Sequence, residues 1–389
     1  MIRRQLFKLL YARRQRAVRQ YKTLNWIKLD HAAVLHNVAL LQRQHPGFGI
    51  IPVLKSNAYG HGLRDMAQIL NAADCESLAV DGYFEAGRIR HLTRHRILVL
   101  GYILPENVRL LDTRHCSFVV QDIAGLKAFG RLGRPVRIHL ELNTGMNRLG
   151  LQPAELDGYL ATLKQFPHLE LEGVMSHLAD ADNEADDTFT AGQTAQFDKA
   201  IAKILTAGFH PRSIHLAQTA GSTKAHSRYA NALRFGIGLY GISPLSAGDP
   251  HAGDLAGLRP VLSLKTTIIK TIELQKGDRV SYNGIFTAPH AMRLGVLPLG
   301  YYEGVPRALS SCGILTAADG QLLPIRGRVC MNHTMIDLGE TSLQTGDVVT
   351  VMSADPAQPN SVARLVADHH LFPYMLLAGL SSSIRRNIV

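Results

Sequence analysis

The amino-acid sequence predicts an α/β protein with an N-terminal (β/α)8 barrel of the TIM type and a C-terminal domain that is mainly β. Between residues 50 and 241, short apolar runs alternate with helix-like stretches, which is the pattern of βα units. Eight such units in about 200 residues favour a closed barrel over an open doubly wound sheet. After residue 261, short β-branched runs separated by Gly-Asp turns replace this alternation.

The predicted barrel elements place polar residues at one end of the sheet. The eight strands are predicted at residues 50–54, 77–80, 97–100, 117–120, 136–142, 169–175, 213–216 and 232–235. The clearest helical segments are residues 63–72, 83–91, 154–166 and 188–207. Lys55 follows the first strand, Arg148 the fifth and His177 the sixth. The carboxyl ends of barrel strands form the active-site face, so we expect these three side chains to share a site.

The composition is that of a globular protein with a large core. The chain has 389 residues, of which 46% are hydrophobic, and this predicts two domains. No run approaches the length of about 18 apolar residues that a membrane span needs. Four cysteines at irregular spacing form neither a disulfide framework nor a zinc site, so no metal is expected. These features fit a reducing cytoplasm.

The positive charge is concentrated at the N-terminus. Residues 1–22 carry eight basic and no acidic side chains, which leaves only +3 of the net charge of +11 for the rest of the chain. We therefore expect no nucleic-acid-binding surface on the body of the protein. Apolar residues among these bases fit a basic amphipathic helix. A solvated helical extension is the favoured interpretation, and weak contact with an anionic membrane surface is the alternative.

Residues 53–62 (VLKSNAYGHG) carry the clearest chemical signal. An apolar run delivers Lys55 to a strand end, and a turn containing Tyr59 and two glycines follows. An amine held against an apolar strand loses hydration, which favours its neutral form and its reaction with an aldehyde. The segment resembles the pyridoxal-phosphate lysine motif of the alanine racemase family.

Six further segments resemble motifs of the same family in the same order. They are the arginine loop (142–150), the histidine strand (173–182), the cofactor-nitrogen arginine with the phosphate loop (234–241), the catalytic tyrosine motif (280–283) and two substrate-side motifs (300–304 and 327–332). Each segment is short, but their common order is hard to explain by chance. The chain is thus identified as a member of this family.

The resemblance also implies how the chain is divided into domains. Residues 1–22 are the basic extension, and residues 23–30 form a strand that joins the β domain. The barrel, which would bind pyridoxal phosphate, covers residues 31–243. Residues 244–260, rich in Gly, Pro, Ser and Ala, are the linker, and residues 261–389 are the β domain that carries the second catalytic base.

By resemblance, the activity is interconversion of L- and D-alanine on pyridoxal 5′-phosphate, which would supply D-alanine for peptidoglycan. Racemisation needs two bases on opposite faces of the substrate Cα, and the motifs assign these roles to Lys55 and Tyr282. Because a tyrosine with a pKa of about 10 is a poor base at neutral pH, a cationic neighbour is expected. The family also implies that Tyr282 reaches the other subunit's site, so we expect a homodimer with shared active sites.

The remaining site residues are assigned by the same resemblance. Arg234 faces the cofactor's pyridine nitrogen, and His177 stacks on the cofactor or braces Arg234; a purely structural histidine is the alternative. Tyr59, Thr219, Gly236 and Ile237 hold the phosphate, with glycine allowing close approach. Three residues are assigned to contact with a small amino-acid substrate and its carboxylate: Arg148, Met331 and Tyr301. Arg148 is also assigned to the cofactor.

Four positions depart from the family pattern. Glu141 stands where many members have a carbamylated lysine, and we interpret it as a permanent negative charge that holds Arg148. Gln218 and Thr219 replace Asn-Ser, and Asn332 replaces an aspartate. Ser382 occupies the position of a tyrosine that helps bind the phosphate and narrows the entrance.

These departures keep other functions open. One alternative is a racemase of broad specificity, or one for serine or basic amino acids. A barrel-type decarboxylase would use the same first domain, but its C-terminal cysteine motifs are missing. A relative that only binds the cofactor would lack a β domain carrying Tyr282.

Overall fold

The computed structural model describes residues 21–389, which form two compact units. The basic extension predicted at residues 1–22 lies outside the described residues except for its last two. The barrel unit contains Lys28–Ser263, Met352–Ser382 and Ile388–Val389, and the β unit contains residues 21–27 together with Leu264–Val351 and Ser383–Asn387.

The barrel unit contains eight parallel strands, as the sequence predicts. They are β2 (Gly49–Pro52), β3 (Leu78–Val80), β4 (Ile97–Val99), β5 (Cys116–Val120), β6 (Val136–Glu141), β7 (Leu169–Met175), β8 (Ser213–His215) and β9 (Ala232–Phe235). Neighbouring strands pair in the order β2-β9-β8-β7-β6-β5-β4-β3. A parallel bridge between Val53 and Ala79 brings β2 beside β3 and closes the ring. The predicted barrel is confirmed.

The interior of the barrel is filled by small and branched side chains from alternate strand positions. Parallel strands are covered on both faces, which explains why they appear in the sequence as nearly continuous apolar runs. The central cluster consists of Ile51, Val53, Ala79, Leu98, Val119, Met175 and Ala232, with Tyr59 and Leu100 packed against it.

Helices separate most of these strands. They are α1 (His31–Gln44), α2 (Lys55–Tyr59), α3 (Leu63–Ile69), α4 (Tyr83–Ile89), α5 (Ile123–Gly130), α6 (Leu156–Lys164), α7 (Thr188–Thr206) and α8 (Gly221–Lys224). Side-chain caps begin two of them: Asp30 accepts from the N–H of Ala33 at 2.9 Å, and Asp122 accepts from the N–H of Gly125 at 2.6 Å. None of the helices among the described residues is long and apolar enough to cross a membrane.

Strands dominate the β unit. A six-stranded sheet has the order β16-β15-β18-β10-β1-β19, a second sheet has the order β11-β14-β17, and β12 pairs with β13. The strands are β1 (Asn25–Leu29), β10 (Leu262–Thr267), β11 (Lys270–Leu274), β12 (Arg279–Val280), β13 (Phe286–Thr287), β14 (Met292–Leu297), β15 (Ile314–Thr316), β16 (Leu322–Pro324), β17 (Thr334–Asp337), β18 (Val348–Met352) and β19 (Arg385–Ile388).

The segment Met352–Ser382 belongs to the barrel unit, although in the sequence it falls within residues 261–389. It contains α9 (Val362–His369) and α10 (Pro373–Ala378). Helix α10 packs directly on the turn that follows Lys55. The approach is so close that a Cβ added to Gly60 would lie 1.9 Å from the carbonyl oxygen of Leu377. This return of the chain brings new side chains to the carboxyl end of the barrel.

Candidate active site

A cavity of about 720 Å³ lies at the carboxyl ends of the barrel strands, and the residues that line it all belong to the barrel unit. Nine of the predicted site residues line it: Lys55, Tyr59, Glu141, Arg148, His177, Thr219, Arg234, Gly236 and Ile237. Tyr282, Tyr301 and Met331 lie in the β unit. Ser382 belongs to the barrel unit but is exposed and does not line the cavity.

Lys55 enters the cavity from an unusual turn. Ser56, Asn57, Ala58 and Tyr59 all have φ between 50° and 56°, which makes one turn of left-handed helix without a glycine. Such a conformation costs roughly 1–2 kcal/mol per residue. Side chains help to hold it: Glu85 accepts from the N–H of Asn57 at 3.2 Å. Backbone strain of this size persists where the fold over-determines it, which is typical of functional sites.

Arg234 forms the polar floor of the cavity. It is buried at the end of β9, and its guanidinium donates to the carbonyl oxygens of Ser176, His215 and Leu216 at 2.6–2.7 Å. The same group donates to Nδ1 of His215 at 2.8 Å and to Nδ1 of His177 at 3.1 Å. Five bonds therefore fix its plane and position.

Burial and the charge of Arg234 together set the protonation of both histidines. Burial lowers the pKa of Arg234 to about 10, so it remains a cation at neutral pH. Burial, and then this neighbouring charge, lower the pKa values of His177 and His215 well below their ordinary value. Both rings are therefore neutral and present an unprotonated Nδ1 to the guanidinium.

Glu141 adds a carboxyl group to the cavity wall near the two arginines. Burial raises its pKa, whereas Arg234, a hydrogen bond with Gln121 and Arg148 oppose the rise. The structure thus places Glu141 within the electrostatic reach of Arg148 and Arg234.

The loop that carries Arg148 is shaped by Asn143. Its Oδ1 accepts from the N–H groups of Gly145 and Asn147 at 3.1 and 3.0 Å, and its Nδ2 donates to Oδ1 of Asn147 at 3.0 Å. These bonds replace strand pairing where the loop leaves β6. The loop thereby presents Arg148 and Leu149 to the cavity.

One wall of the cavity is suited to an anion. Among the described residues, the backbone N–H groups of Gly236 and Ile237 donate to no backbone acceptor. Oγ1 of Thr219 accepts from the N–H of Gly238 at 3.3 Å, which fixes this loop. A Cβ on Gly236 would lie 3.1 Å from the hydroxyl of Tyr59, so glycine allows close approach there. Free N–H groups and hydroxyls are the usual ligands of a phosphate.

Helix α10 supplies a wall that the sequence did not assign to the site. Phe372, Tyr374 and Ala378 line the cavity, and the ring of Tyr374 lies 6.1 Å from that of Tyr59. Burial, with a smaller contribution from Asp182, raises the pKa of Tyr374 to about 12. The family pattern brings this C-terminal segment to the site through the position of Ser382, whereas the structure places Phe372 and Tyr374 in the cavity wall.

The β unit holds its predicted site residues on one surface. Tyr282 is 70% exposed, Tyr301 45% and Met331 55%. Hydrogen bonds join their segments: the N–H of Tyr301 donates to the carbonyl of Cys330 at 3.0 Å, and Oγ of Ser281 lies 3.3 Å from Sγ of Cys330. Large exposed apolar side chains grouped in this way mark an interaction surface.

A closed barrel with a lysine, a buried arginine and a wall suited to an anion at the carboxyl ends of its strands has the architecture of a barrel enzyme. The family models for the N-terminal and the C-terminal domains of alanine racemase match residues 29–244 and 261–388. The chain belongs to the alanine racemase family, as the sequence motifs predicted.

Individual relatives agree with this assignment. The alanine racemase of Geobacter sulfurreducens is 32% identical over 369 residues, which cover 92% of this chain and 95% of that protein. The structure of alanine racemase from Bacillus anthracis with bound L-Ala-P has a TM-score of 0.85 at 28% identity and covers 95% of this chain and 96% of that one. A Bartonella henselae alanine racemase with covalently bound pyridoxal phosphate shares the fold, with a TM-score of 0.81 at 22% identity over 95% of this chain and all (100%) of that one.

Proposed function

We propose that this protein is an alanine racemase that uses pyridoxal 5′-phosphate to interconvert L- and D-alanine. The observation that carries the proposal is the meeting of Lys55, the cation Arg234 and the anion-binding wall in one cavity. A relative with bound L-Ala-P and one with covalently bound pyridoxal phosphate share the fold. A role in supplying D-alanine for peptidoglycan follows from this activity and is part of the proposal.

The residues present fit this cofactor. An amine, a fixed cation and a set of free N–H donors match an aldehyde, a ring nitrogen and a phosphate, respectively. Lys55 would hold the aldehyde carbon, and Arg234 would donate to the ring nitrogen. The hydroxyl of Tyr59 and the N–H groups of Gly236 and Ile237 would hold the phosphate. When bound, pyridoxal phosphate withdraws electrons from the substrate Cα–H bond.

Arg234 would influence which reaction follows once the cofactor is bound. A guanidinium with a pKa of about 10 donates a hydrogen bond but keeps its proton at neutral pH. Beside a bound ring nitrogen it would therefore leave that nitrogen unprotonated, which would limit how far negative charge moves away from the substrate Cα. Retaining charge at Cα favours return of a proton there and disfavours transamination.

Two bases carry the proton. Lys55 takes the Cα proton on one face and Tyr282 gives a proton on the other face; the roles reverse for the opposite enantiomer, so no proton is gained or lost overall. Removal of either group would leave racemisation without its proton acceptor or its proton donor.

A second copy of the chain is the partner that this arrangement calls for. Tyr282, Tyr301 and Met331 form an exposed surface in the β unit, and Tyr302 beside them is 60% exposed. We infer that this surface is covered in a homodimer, where Tyr282 and the backbone of Met331 complete the partner's site. Arg148 would bind the substrate carboxylate from the barrel side. The cytoplasmic location and the weak membrane contact of residues 1–22 stay predictions.

The direct test is exchange of the substrate Cα proton. Protein loaded with pyridoxal phosphate is incubated in D2O with L-alanine, D-alanine, serine and lysine, and deuterium at Cα and the enantiomer ratio are followed by NMR and chiral chromatography. We expect exchange and racemisation fastest with alanine. Faster turnover of serine or lysine would favour the broad-specificity alternative, and cofactor binding without any exchange would refute a racemase.

A further inference from the structure

A chain of buried polar side chains leads from Arg234 away from the cavity. Nη1 of Arg234 lies 2.8 Å from Nδ1 of His215, Nε2 of His215 lies 2.8 Å from Nδ1 of His139, and Nε2 of His139 lies 3.2 Å from Oε2 of Glu172. None of the four residues is more than 3% exposed. Neither His139 nor Glu172 lines the cavity, so they have no contact with a ligand there.

The direction of every hydrogen bond in this relay (Arg234, His215, His139 and Glu172) is fixed. Arginine has no acceptor, so Nδ1 of His215 must accept, and His215 therefore carries its proton on Nε2. That proton is donated to Nδ1 of His139, which places the proton of His139 on Nε2. Nε2 of His139 in turn donates to the Glu172 carboxylate. Both histidines are neutral, and each holds one defined tautomer.

Glu172 is a stable anion at the end of the relay. Burial alone would raise its pKa, but hydrogen bonds from His139 and Ser117, and the nearby cations, hold the pKa at about 2. Oε1 of Glu172 lies 2.6 Å from Nη2 of Arg212, 3.5 Å from Nε of Arg96 and 3.8 Å from Nε of Arg137. These arginines stand at the amino ends of strands, opposite the cavity.

The barrel makes room for the relay. Pairing of β6 with β7 shifts register between Ile138 and His139. Opposite them, a Cβ on Gly173 would lie 2.3 Å from Nδ1 of His139, so only glycine leaves space for the imidazole. A bulge and a glycine in the interior of a sheet commonly re-aim a side chain. The local backbone is thus shaped around the ring of His139.

We propose that His139 and Glu172 are positioning residues, which hold His215 in the tautomer that accepts from Arg234 and thereby aim the guanidinium into the cavity. The inference rests on the proposed function, because Arg234 is the group assigned to the cofactor's ring nitrogen. Without the relay, the proton on Nε2 of His215 has no acceptor, and only the hydrogen bond from Arg234 still favours this tautomer. His215 can then also carry its proton on Nδ1, which takes one of its five acceptors from the guanidinium. Partners that orient a ligand in this way elsewhere contribute about 10–100-fold to activity.

The test separates tautomer control from simple packing. His139→Phe fills similar space but cannot accept from His215, whereas His139→Asn keeps an acceptor oxygen near the position of Nδ1. Arg96→Gln is the matched control, because it removes one cation beside Glu172 and leaves the relay intact. The full chain is labelled with ¹⁵N-histidine, with and without pyridoxal phosphate, and NMR of the ring nitrogens reports each tautomer.

We expect His215 to be protonated on Nε2 in the wild type, His139→Asn and Arg96→Gln, and to populate the Nδ1 form in His139→Phe. In the loaded enzyme, His139→Phe should lower kcat about 10–100-fold and raise the fraction of turnovers that end in transamination, and His139→Asn should restore both. Wild-type His215 protonated on Nδ1 would overturn the proposal even if no variant folds. An unchanged tautomer and unchanged transamination in folded His139→Phe would do the same. Absence of racemisation in the wild type would instead refute the proposed function and leave the tautomer result standing.

Discussion

Arg234, Glu141 and Glu172 are charged side chains buried in the barrel unit, and each is compensated by a different kind of neighbour. Arg234 donates mainly to backbone carbonyls, Glu172 lies among arginines at the strand starts, and Glu141 lies close to the cations of the cavity. A buried charge that loses its partner costs several kcal/mol. Replacing one member should therefore alter the behaviour of the group beside it.

Lys55 should be the site of covalent attachment of pyridoxal phosphate. Lys55→Ala leaves no amine at the end of β2, so borohydride treatment of cofactor-loaded protein should fix a pyridoxyl group in the wild type and none in the variant. Peptide mass spectrometry locates the modification. The exposed Lys164 at the end of α6 provides the control, since Lys164→Ala should be modified like the wild type. A fixed cofactor in Lys55→Ala would refute the assignment.

Glu141 should make substrate binding sensitive to acid. We expect the carboxylate form to brace Arg148; this form is present above the pKa of Glu141 and is lost as pH falls through it. Because burial raises that pKa, the loss should begin at a higher pH than for an ordinary glutamate, whose pKa is 4.5.

Glu141→Gln should raise KM at neutral pH and remove this acidic limb from the pH profile of kcat/KM. Activity should also be indifferent to bicarbonate, since no lysine at this position needs carbamylation. Glu155→Gln, at the start of α6, should behave like the wild type. An unaltered KM and pH profile in Glu141→Gln would show that the carboxylate does not hold Arg148.

Tyr374 lines part of the cavity wall, so we expect Tyr374, rather than Ser382, to limit the size of the substrate side chain. The exposed Ser382 does not line the cavity, whereas Tyr374 and Phe372 do. Tyr374→Ala should therefore raise kcat/KM for serine and larger amino acids relative to alanine, because about 1–3 kcal/mol of discrimination attends each methylene that a pocket excludes. Ser382→Ala should leave the ratio unchanged. A ratio that responds to Ser382 and ignores Tyr374 would reverse the assignment.

At the level of elements, the barrel strands could be predicted from the sequence, but the left-handed turn after Lys55 could not. Barrel strands are covered on both faces, so their apolar runs marked β7 and β9 to the residue. The left-handed turn at Ser56–Tyr59 contains no glycine that would have indicated it in the sequence. It depends instead on tertiary contacts such as that of Asn57 with Glu85.

Polar residues inside barrel strands were the missed signal. His139 in β6, Glu172 in β7 and His215 in β8 are buried polar residues inside barrel strands, and a buried polar residue needs a partner. The sequence could have indicated that such residues pair with one another, but the pairing order follows from the register of the strands. Side-chain geometry of this kind is not visible in periodicity.

Gly60 connects the lysine turn to α10, and its replacement should disturb both. Gly60 has a φ of 79°, which costs an alanine about 1–2 kcal/mol, and its Cβ would lie 1.9 Å from a backbone oxygen of α10. Gly60→Ala should lower the free energy of unfolding by more than this amount and weaken cofactor binding.

Gly47 offers the matched control for this change. It has a φ of 85° with nothing within 4 Å of an added Cβ, so Gly47→Ala carries the conformational cost alone. Chemical denaturation and cofactor titration of both variants give the comparison. Equal losses in the two variants would mean that α10 does not press on Gly60.

At the scale of the whole molecule, the proposed bases belong to different compact units: Lys55 to the barrel unit and Tyr282 to the β unit. Ser281 and Asn283 on either side of Tyr282 have φ values of 64° and 61°, so the turn is specially shaped to present this side chain. Under the proposed mechanism, a base that is 70% exposed calls for a second chain to cover it. In a two-fold symmetric dimer each site then takes one base from each chain.

Mixed dimers provide a decisive test of this arrangement. Lys55→Ala and Tyr282→Phe homodimers should each be nearly inactive, because loss of a positioned acid–base group typically costs about 10²–10⁴-fold. In a mixed dimer with shared sites, one site collects both defects and the other has none. Random pairing of equal amounts, after mild unfolding and refolding together, should therefore restore about a quarter of wild-type racemisation. If both bases of a site came from one chain, every site in the mixture would keep a defect and no activity would return.

Tyr302→Phe mixed with Lys55→Ala in the same way controls for refolding, and size-exclusion chromatography confirms that dimers form. Complementation by the Tyr282 variant would place the second base in the partner's site, and its absence in verified mixed dimers would refute shared sites.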